Sequence, residues 1–152
     1  MKLYRIARTA YIEDTTGAGA RLYGGRWNEK GVPVIYVASS PSLAALEFLV
    51  HLPIVLAPRD LSICRFVLPD SVSVNRVKKA ALPAGWKSSP PSSETQEIGT
   101  RWAARGKSLL LFVPSVLVPE ESNILINPLH PEFRKIKKMI MPFTFDPRLV
   151  EH

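Results

Sequence analysis

Hydrophobic and polar positions alternate from the start of the chain. Leu3-Tyr4-Arg5-Ile6-Ala7 has the two-residue period of a strand. Residues 13 to 25 are rich in Gly, Thr and Ala and read as a loop or a weak helix. Val32 to Ala38 is a short β-rich run and predicts a second strand. A helix follows, with Ser40 able to cap it and Pro41 tolerated at its first position. Its apolar positions include Leu43, Leu46, Phe48, Leu49 and Val50, and Pro53 stops it. Leu61 to Leu68 alternates and closes at Pro69, which predicts a third strand. Residues 78 to 93 carry Pro83, Gly85, Pro90, Pro91 and several serines and read as a loop. Glu94 to Arg105 predicts a helix capped by Ser92 or Ser93. Leu109 to Val113 is continuously apolar, as in a strand buried on both faces. Asn123 to Asn127, ended by Pro128, and the segment from Lys137 to Phe145 complete the strands.

Several strands with two main helices imply an α+β (mixed α/β) fold around one sheet system. No internal repeat or second domain is legible, so residues 1–152 read as a single domain. A hydrophobic content of 46% fits a folded globular chain. The longest apolar candidate, Ser108 to Val118, is interrupted by Pro114 and Ser115 and falls short of the roughly 18 residues of a membrane span. The N-terminal residues lack an apolar signal core, and Cys64, the single cysteine, sits in an apolar stretch, so a cytoplasmic protein is expected. The net charge of +7 suits nucleic acid, an acidic protein partner or an anionic small substrate. The one dense basic cluster, Arg134, Lys135, Lys137 and Lys138, reads as a solvated edge, and no helix-turn-helix, zinc finger or RNA-binding strand motif is present.

The candidate chemistry centres on a few residues. Glu47 has Leu43, Ala44, Val50 and His51 as helical neighbours at three and four positions, three of them apolar, so it faces the interior. A carboxylate there needs a ligand, a proton or a structural arginine. Gly24-Gly25-Arg26 offers backbone without Cβ atoms followed by a planar fork of donors, suited to a pyrophosphate clamp or, equally, to an exposed turn. Tyr36 could stack on a heteroaromatic ring or simply belong to the core. Ser115 follows Pro114 at the end of an apolar strand, where it is a site residue or a turn serine. His51, His130 and His152 show no metal spacing, so no metal is expected, and no serine has the flanking glycines of a nucleophile elbow.

In order along the chain, Gly24-Gly25-Arg26-Trp27-Asn28, Gly31 to Tyr36, Leu43-Ala44 to Glu47, Gly99 to Trp102, Val113 to Val116, Asn123 to Pro128 and Phe145 to Leu149 resemble the RES domain family. The resemblance implies a toxin of a bacterial type II toxin–antitoxin pair, with an ADP-ribosyltransferase-like sheet core and flanking helices, that consumes NAD⁺. By resemblance the catalytic set is Glu47, Arg26, Tyr36 and Ser115. NAD⁺ contacts fall on Arg26, Gly25, Tyr36, Asn28 and Ser115, with Arg26 on the pyrophosphate, Tyr36 against nicotinamide, and Ser115 bonded to nicotinamide or ribose. No cofactor is required, because NAD⁺ is the substrate. The implied partner is an Xre-type helix-turn-helix antitoxin covering the active site, with a possible homodimer in the complex and no direct nucleic-acid contact by this chain. The acceptor stays open between water, phosphate and a protein. From the residues alone, a non-catalytic basic binding module is the rival of a different class. The Pro- and Ser-rich stretch from 83 to 93 is the part of the chain on which the resemblance does not rest.

Overall fold

The computed structural model describes residues 1–53 and 58–151. Strand β1 spans Lys2–Arg8, β2 Ile35–Ala38, β3 Leu61–Val67, β4 Val74–Arg76, β5 Leu110–Pro114, β6 Ser122–Ile126 and β7 Lys137–Phe143. Helix α1 spans Ala18–Tyr23, α2 Pro41–Val50 and α3 Ser93–Arg105. The strands form a seven-stranded sheet in the order β4-β5-β6-β2-β1-β3-β7. Every pairing is antiparallel except β4 with β5. The expected α+β fold, one sheet system with flanking helices, is therefore what the chain adopts.

Both helix starts follow their sequence signals. Ser40 Oγ accepts from Leu43 N–H with Pro41 directly after it, and Ser92, rather than Ser93, accepts from Thr95 N–H. α3 ends at Gly106, whose φ of 59° places it in the left-handed region where glycine is favoured. Two boundaries differ from expectation. The run from Val32 pairs as a strand only from Ile35, and β7 ends at Phe143. β4 lies between the third expected strand and the loop from 78, where the sequence predicts no element; it is three residues long and exposed throughout.

β5, β6 and β2 are covered on both faces, which accounts for their apolar continuity. On one face Leu110, Ile124, Ile126, Ile35 and Val37 join Leu3 and Phe66. On the other, Leu111, Val113 and Leu125 pack under Trp27 and Trp102. Each fully buried Leu or Ile contributes about 1.5–3 kcal/mol relative to exposure. Cys64 is wholly buried in the first of these clusters, as its apolar setting implies. The basic residues Arg134, Lys135, Lys137 and Lys138 are exposed, with Lys135 paired to Glu132.

The sheet has a seam. β1 pairs with β3 along seven residues, but with β2 only at Tyr4 and Ala38. Two half-sheets thus part between β1 and β2. α2 leaves the end of β2 and packs Leu43 and Ala44 over this junction, on Ile6, Ala38 and Ile63. The helix thereby carries its carboxylate to the seam.

Candidate active site

Glu47 lies half-buried on α2, at the wall of a cleft rather than in the core. Its Oε1 accepts two hydrogen bonds, from Ser115 Oγ at 2.9 Å and from Asn123 Nδ2 at 2.6 Å. Oε2 has no protein partner among the described residues. Two donors on one oxygen hold the carboxylate in one orientation and leave the other oxygen for a ligand.

The cleft has a volume of about 760 Å³, within the range of small-molecule sites. Glu47, Tyr36 and Asn123 stand at one end, with Arg26, Gly25 and Lys87 also on its walls. A smaller cavity of about 270 Å³ shares Tyr36, Glu47 and Asn123 and opens at the β1–β2 seam beside Tyr4 and Ile6. The tyrosine ring therefore borders both spaces.

The segment from Gly24 to Asn28 is built by local bonding. Gly24 caps α1 with φ 70°, a conformation that L side chains rarely adopt. A Cβ on Gly25 would sit 2.6 Å from the Tyr36 hydroxyl, so the glycine is required first by that packing. Tyr36 donates to Asn28 Oδ1 at 2.7 Å and accepts from Trp27 N–H at 3.1 Å. Burial pushes its phenol well above the ordinary 10.0, against the opposing pull of the Trp27 N–H bond and the Arg26 charge. The phenol is thus neutral, its proton directed at Asn28, and the ring is fixed as a wall of the cleft.

Arg26 Nη1 donates to the carbonyls of Trp86 at 2.9 Å and Ser88 at 2.7 Å. The Pro- and Ser-rich loop thereby holds the guanidinium in place, and Lys87, Ser89 and Pro91 of the same loop line the cleft. Nε and Nη2 of Arg26 have no protein partner among the described residues. A cation anchored through one nitrogen keeps a planar pair of donors for an anion.

α3 supports this loop from behind. Gln96 Nε2 donates to Gly25 O at 3.0 Å, and Thr100 Oγ1 accepts from Glu29 N–H at 2.9 Å. Between them, a Cβ on Gly99 would lie 1.9 Å from the Trp27 carbonyl oxygen. No side chain fits there, so the helix and loop touch backbone to backbone.

Two of the residues expected to contact the ligand, Asn28 and Ser115, lie behind the cleft wall in this structure. Asn28 is fully buried, and its Nδ2 is spent on the carbonyls of Ala20, Glu29 and Val32. It shapes the loop and orients Tyr36 without reaching the cleft. Ser115 is also fully buried; its hydroxyl donates to Glu47 and accepts from Leu117 and Val118 N–H. It holds the carboxylate and does not line the cleft. Asn123 is a site residue that the sequence analysis does not single out, although a polar residue interrupting the apolar face of β6 is a visible signal. Among the described residues no group of three or more His, Cys, Asp or Glu side chains could hold a metal ion.

The arrangement is a preorganised anion at one end of a cleft, a fixed aromatic wall beside it, and an anchored cation along the same walls. It can stabilise a developing positive charge near Glu47 while holding an anionic group at Arg26. The RES domain family model matches residues 2–147. A "Prs ADP-ribosylating toxin" of Sphingobium sp. (strain YBL2) is 42% identical over 147 residues, covering 95% of this chain and 91% of that protein. "Toxin Res" of Yersinia enterocolitica is 43% identical over 152 residues, covering 98% of this chain and 99% of that protein. A chain of the M. tuberculosis MbcT–MbcA toxin–antitoxin complex shares the fold, with a TM-score of 0.73 at 18% identity over 94% of this chain and 84% of its own. With the family model matching nearly the whole chain and relatives at 42% and 43% identity over most of their own length, the chain belongs to the RES domain family, the family of the Toxin Res proteins.

Proposed function

We propose that this protein is the toxin of a toxin–antitoxin pair and that it cleaves the nicotinamide–ribose bond of NAD⁺. The observation that carries the reading is the Glu47 carboxylate, anchored through Oε1 alone and open at Oε2 beside the Tyr36 ring. In the reaction the bond between ribose C1 and the nicotinamide nitrogen breaks. Its electron pair leaves with nicotinamide, which departs neutral, and the ribosyl carbon becomes cation-like. A fixed carboxylate lowers the energy of that centre and can hold a ribose hydroxyl, as in glycoside cleavage. Tyr36 packs on the nicotinamide ring, and Arg26 meets the pyrophosphate through its unspent donors. An oxygen nucleophile then bonds to C1 and loses its proton to solvent.

Water or phosphate as nucleophile makes the protein a NAD⁺ glycohydrolase or phosphorylase. A protein nucleophile is the second reading, favoured by the relative named as an ADP-ribosylating toxin. An antitoxin covering the cleft is the partner proposed, in keeping with the fold match to a chain of a toxin–antitoxin complex. Incubating purified protein with NAD⁺, with and without phosphate, and weighing the products by mass spectrometry tests the reading. Free nicotinamide with ADP-ribose, or with its phosphorylated form, is expected. Adding cell extract and searching for ADP-ribosylated protein separates the second reading. Intact NAD⁺ in every arm overturns both.

A further inference from the structure

We infer that Asn123 is a positioning residue for Glu47, fixing Oε1 so that Oε2 is the oxygen offered to the substrate. The inference rests on the proposed role of Glu47. The Asn123 amide lies 2.6 Å from Glu47 Oε1, shorter than the usual N–H···O distance of about 2.9–3.0 Å and in the manner of a bond to a charged acceptor. The amide must present its nitrogen, because an amide oxygen that close to a carboxylate oxygen would be repelled. Its backbone is held on both sides, by Ala38 of β2 and Val113 of β5. The side chain therefore starts from a rigid platform and borders both cavities that Glu47 borders.

Ser115 cannot do this alone. Its hydroxyl has one proton, already given to Glu47, and its lone pairs are occupied by Leu117 and Val118 N–H. A carboxylate held by a single donor can swing about that bond. The second donor removes the freedom. Loss of Asn123 therefore misaligns the anion without removing it, an effect on turnover more than on substrate binding.

Three measurements on purified protein test this. In Asn123→Ala, kcat for NAD⁺ cleavage falls about tenfold to a hundredfold per folded molecule, with KM changed less than threefold, consistent with loss of one hydrogen bond to a charged group. In Asn123→Asp, two carboxyls share the site and cannot both ionise. The protonated Asp donates to Glu47 as the amide did. Activity relative to wild type is then kept at acid pH and lost as pH rises through the upper titration of the pair. Because this variant is nearly isosteric, it serves even if Asn123→Ala folds poorly. The third measurement needs no turnover: the carboxyl-carbon resonance of Glu47, assigned by its absence in Glu47→Gln, moves in Asn123→Ala at fixed pH, since a donor to Oε1 is gone. A wild-type kcat in Asn123→Ala, a pH profile of Asn123→Asp parallel to wild type, or an unmoved Glu47 resonance overturns the inference. A moved resonance in a protein that leaves NAD⁺ intact overturns the proposed reaction and keeps the positioning.

Discussion

Glu47→Gln separates charge from shape at the centre of the site. Both donors converge on Oε1, from Ser115 at 2.9 Å and Asn123 at 2.6 Å. Glutamine can keep a carbonyl oxygen in that place and put its amide nitrogen where Oε2 stood. The contacts survive and the charge does not. Two charge-assisted bonds become neutral ones, each falling from about 1.5–3 to about 0.5–1.5 kcal/mol. The relief of no longer desolvating a carboxylate opposes that loss. A net change of about 1 kcal/mol moves the melting temperature of a domain this size by about 2–4 °C. Turnover responds differently. Removing one preorganised electrostatic contact at a developing charge costs about 10²–10³-fold, or about 2.7–4 kcal/mol. Thermal melts and NAD⁺ consumption, measured on the same preparations, make the comparison. A variant that melts far below wild type yet retains its activity per folded molecule would show that Glu47 serves the fold, and the catalytic assignment would fall.

Arg26→Ala weakens NAD⁺ binding about tenfold or more and Arg26→Lys weakens it less, because lysine keeps the charge without the fork; calorimetry in a Glu47→Gln background reads this, and equal affinity across all three proteins refutes it. Gly99→Ala forces a Cβ to within 1.9 Å of the Trp27 carbonyl, so the loop or helix must shift. Overpacking of about 1–3 kcal/mol outweighs the gain in helix propensity, lowers the melting temperature and slows turnover through the displaced Arg26 segment; an unchanged melt refutes the packing argument. The Glu132 carboxyl is held down to about 2, from an ordinary 4.5, by Lys135 first and then Ser73. Its contribution is complete above pH 4.5 and disappears as pH falls toward 2, so the melting gap between wild type and Glu132→Gln should close over that window; a gap independent of pH refutes it.

What was legible in the sequence was what depends on near neighbours. The start of α2 follows from Ser40 and Pro41, and the burial of β5 from its unbroken apolar run. β4 was not legible, because Val74, Asn75 and Arg76 are all exposed and their pairing is a parallel one with β5, more than thirty residues downstream. The interior-facing side of α2 was only half legible. Leu46 and Val50 are exposed on a helix apolar almost all round, so its pattern could not distinguish a core carboxylate from one at a cleft wall. The site residues divide in the same way. A polar side chain beside Gly-Gly or after Pro can meet a ligand or satisfy the fold, and the partner that decides is remote. For Asn28 it is the hydroxyl of Tyr36, and for Ser115 it is a carboxylate on another element.

This division bears on how the cleft is maintained. Arg26 and Glu47 come from different elements, and neither is held by its own. The carbonyls of Trp86 and Ser88 hold Arg26, while β6 and the turn after β5 hold Glu47. The distance between anion and cation is therefore set by three separate connections, each resting on one or two hydrogen bonds. The Pro- and Ser-rich loop is one of the three. Its prolines restrict backbone freedom where the guanidinium is anchored, so it acts as a brace for Arg26 as well as a wall of the cleft.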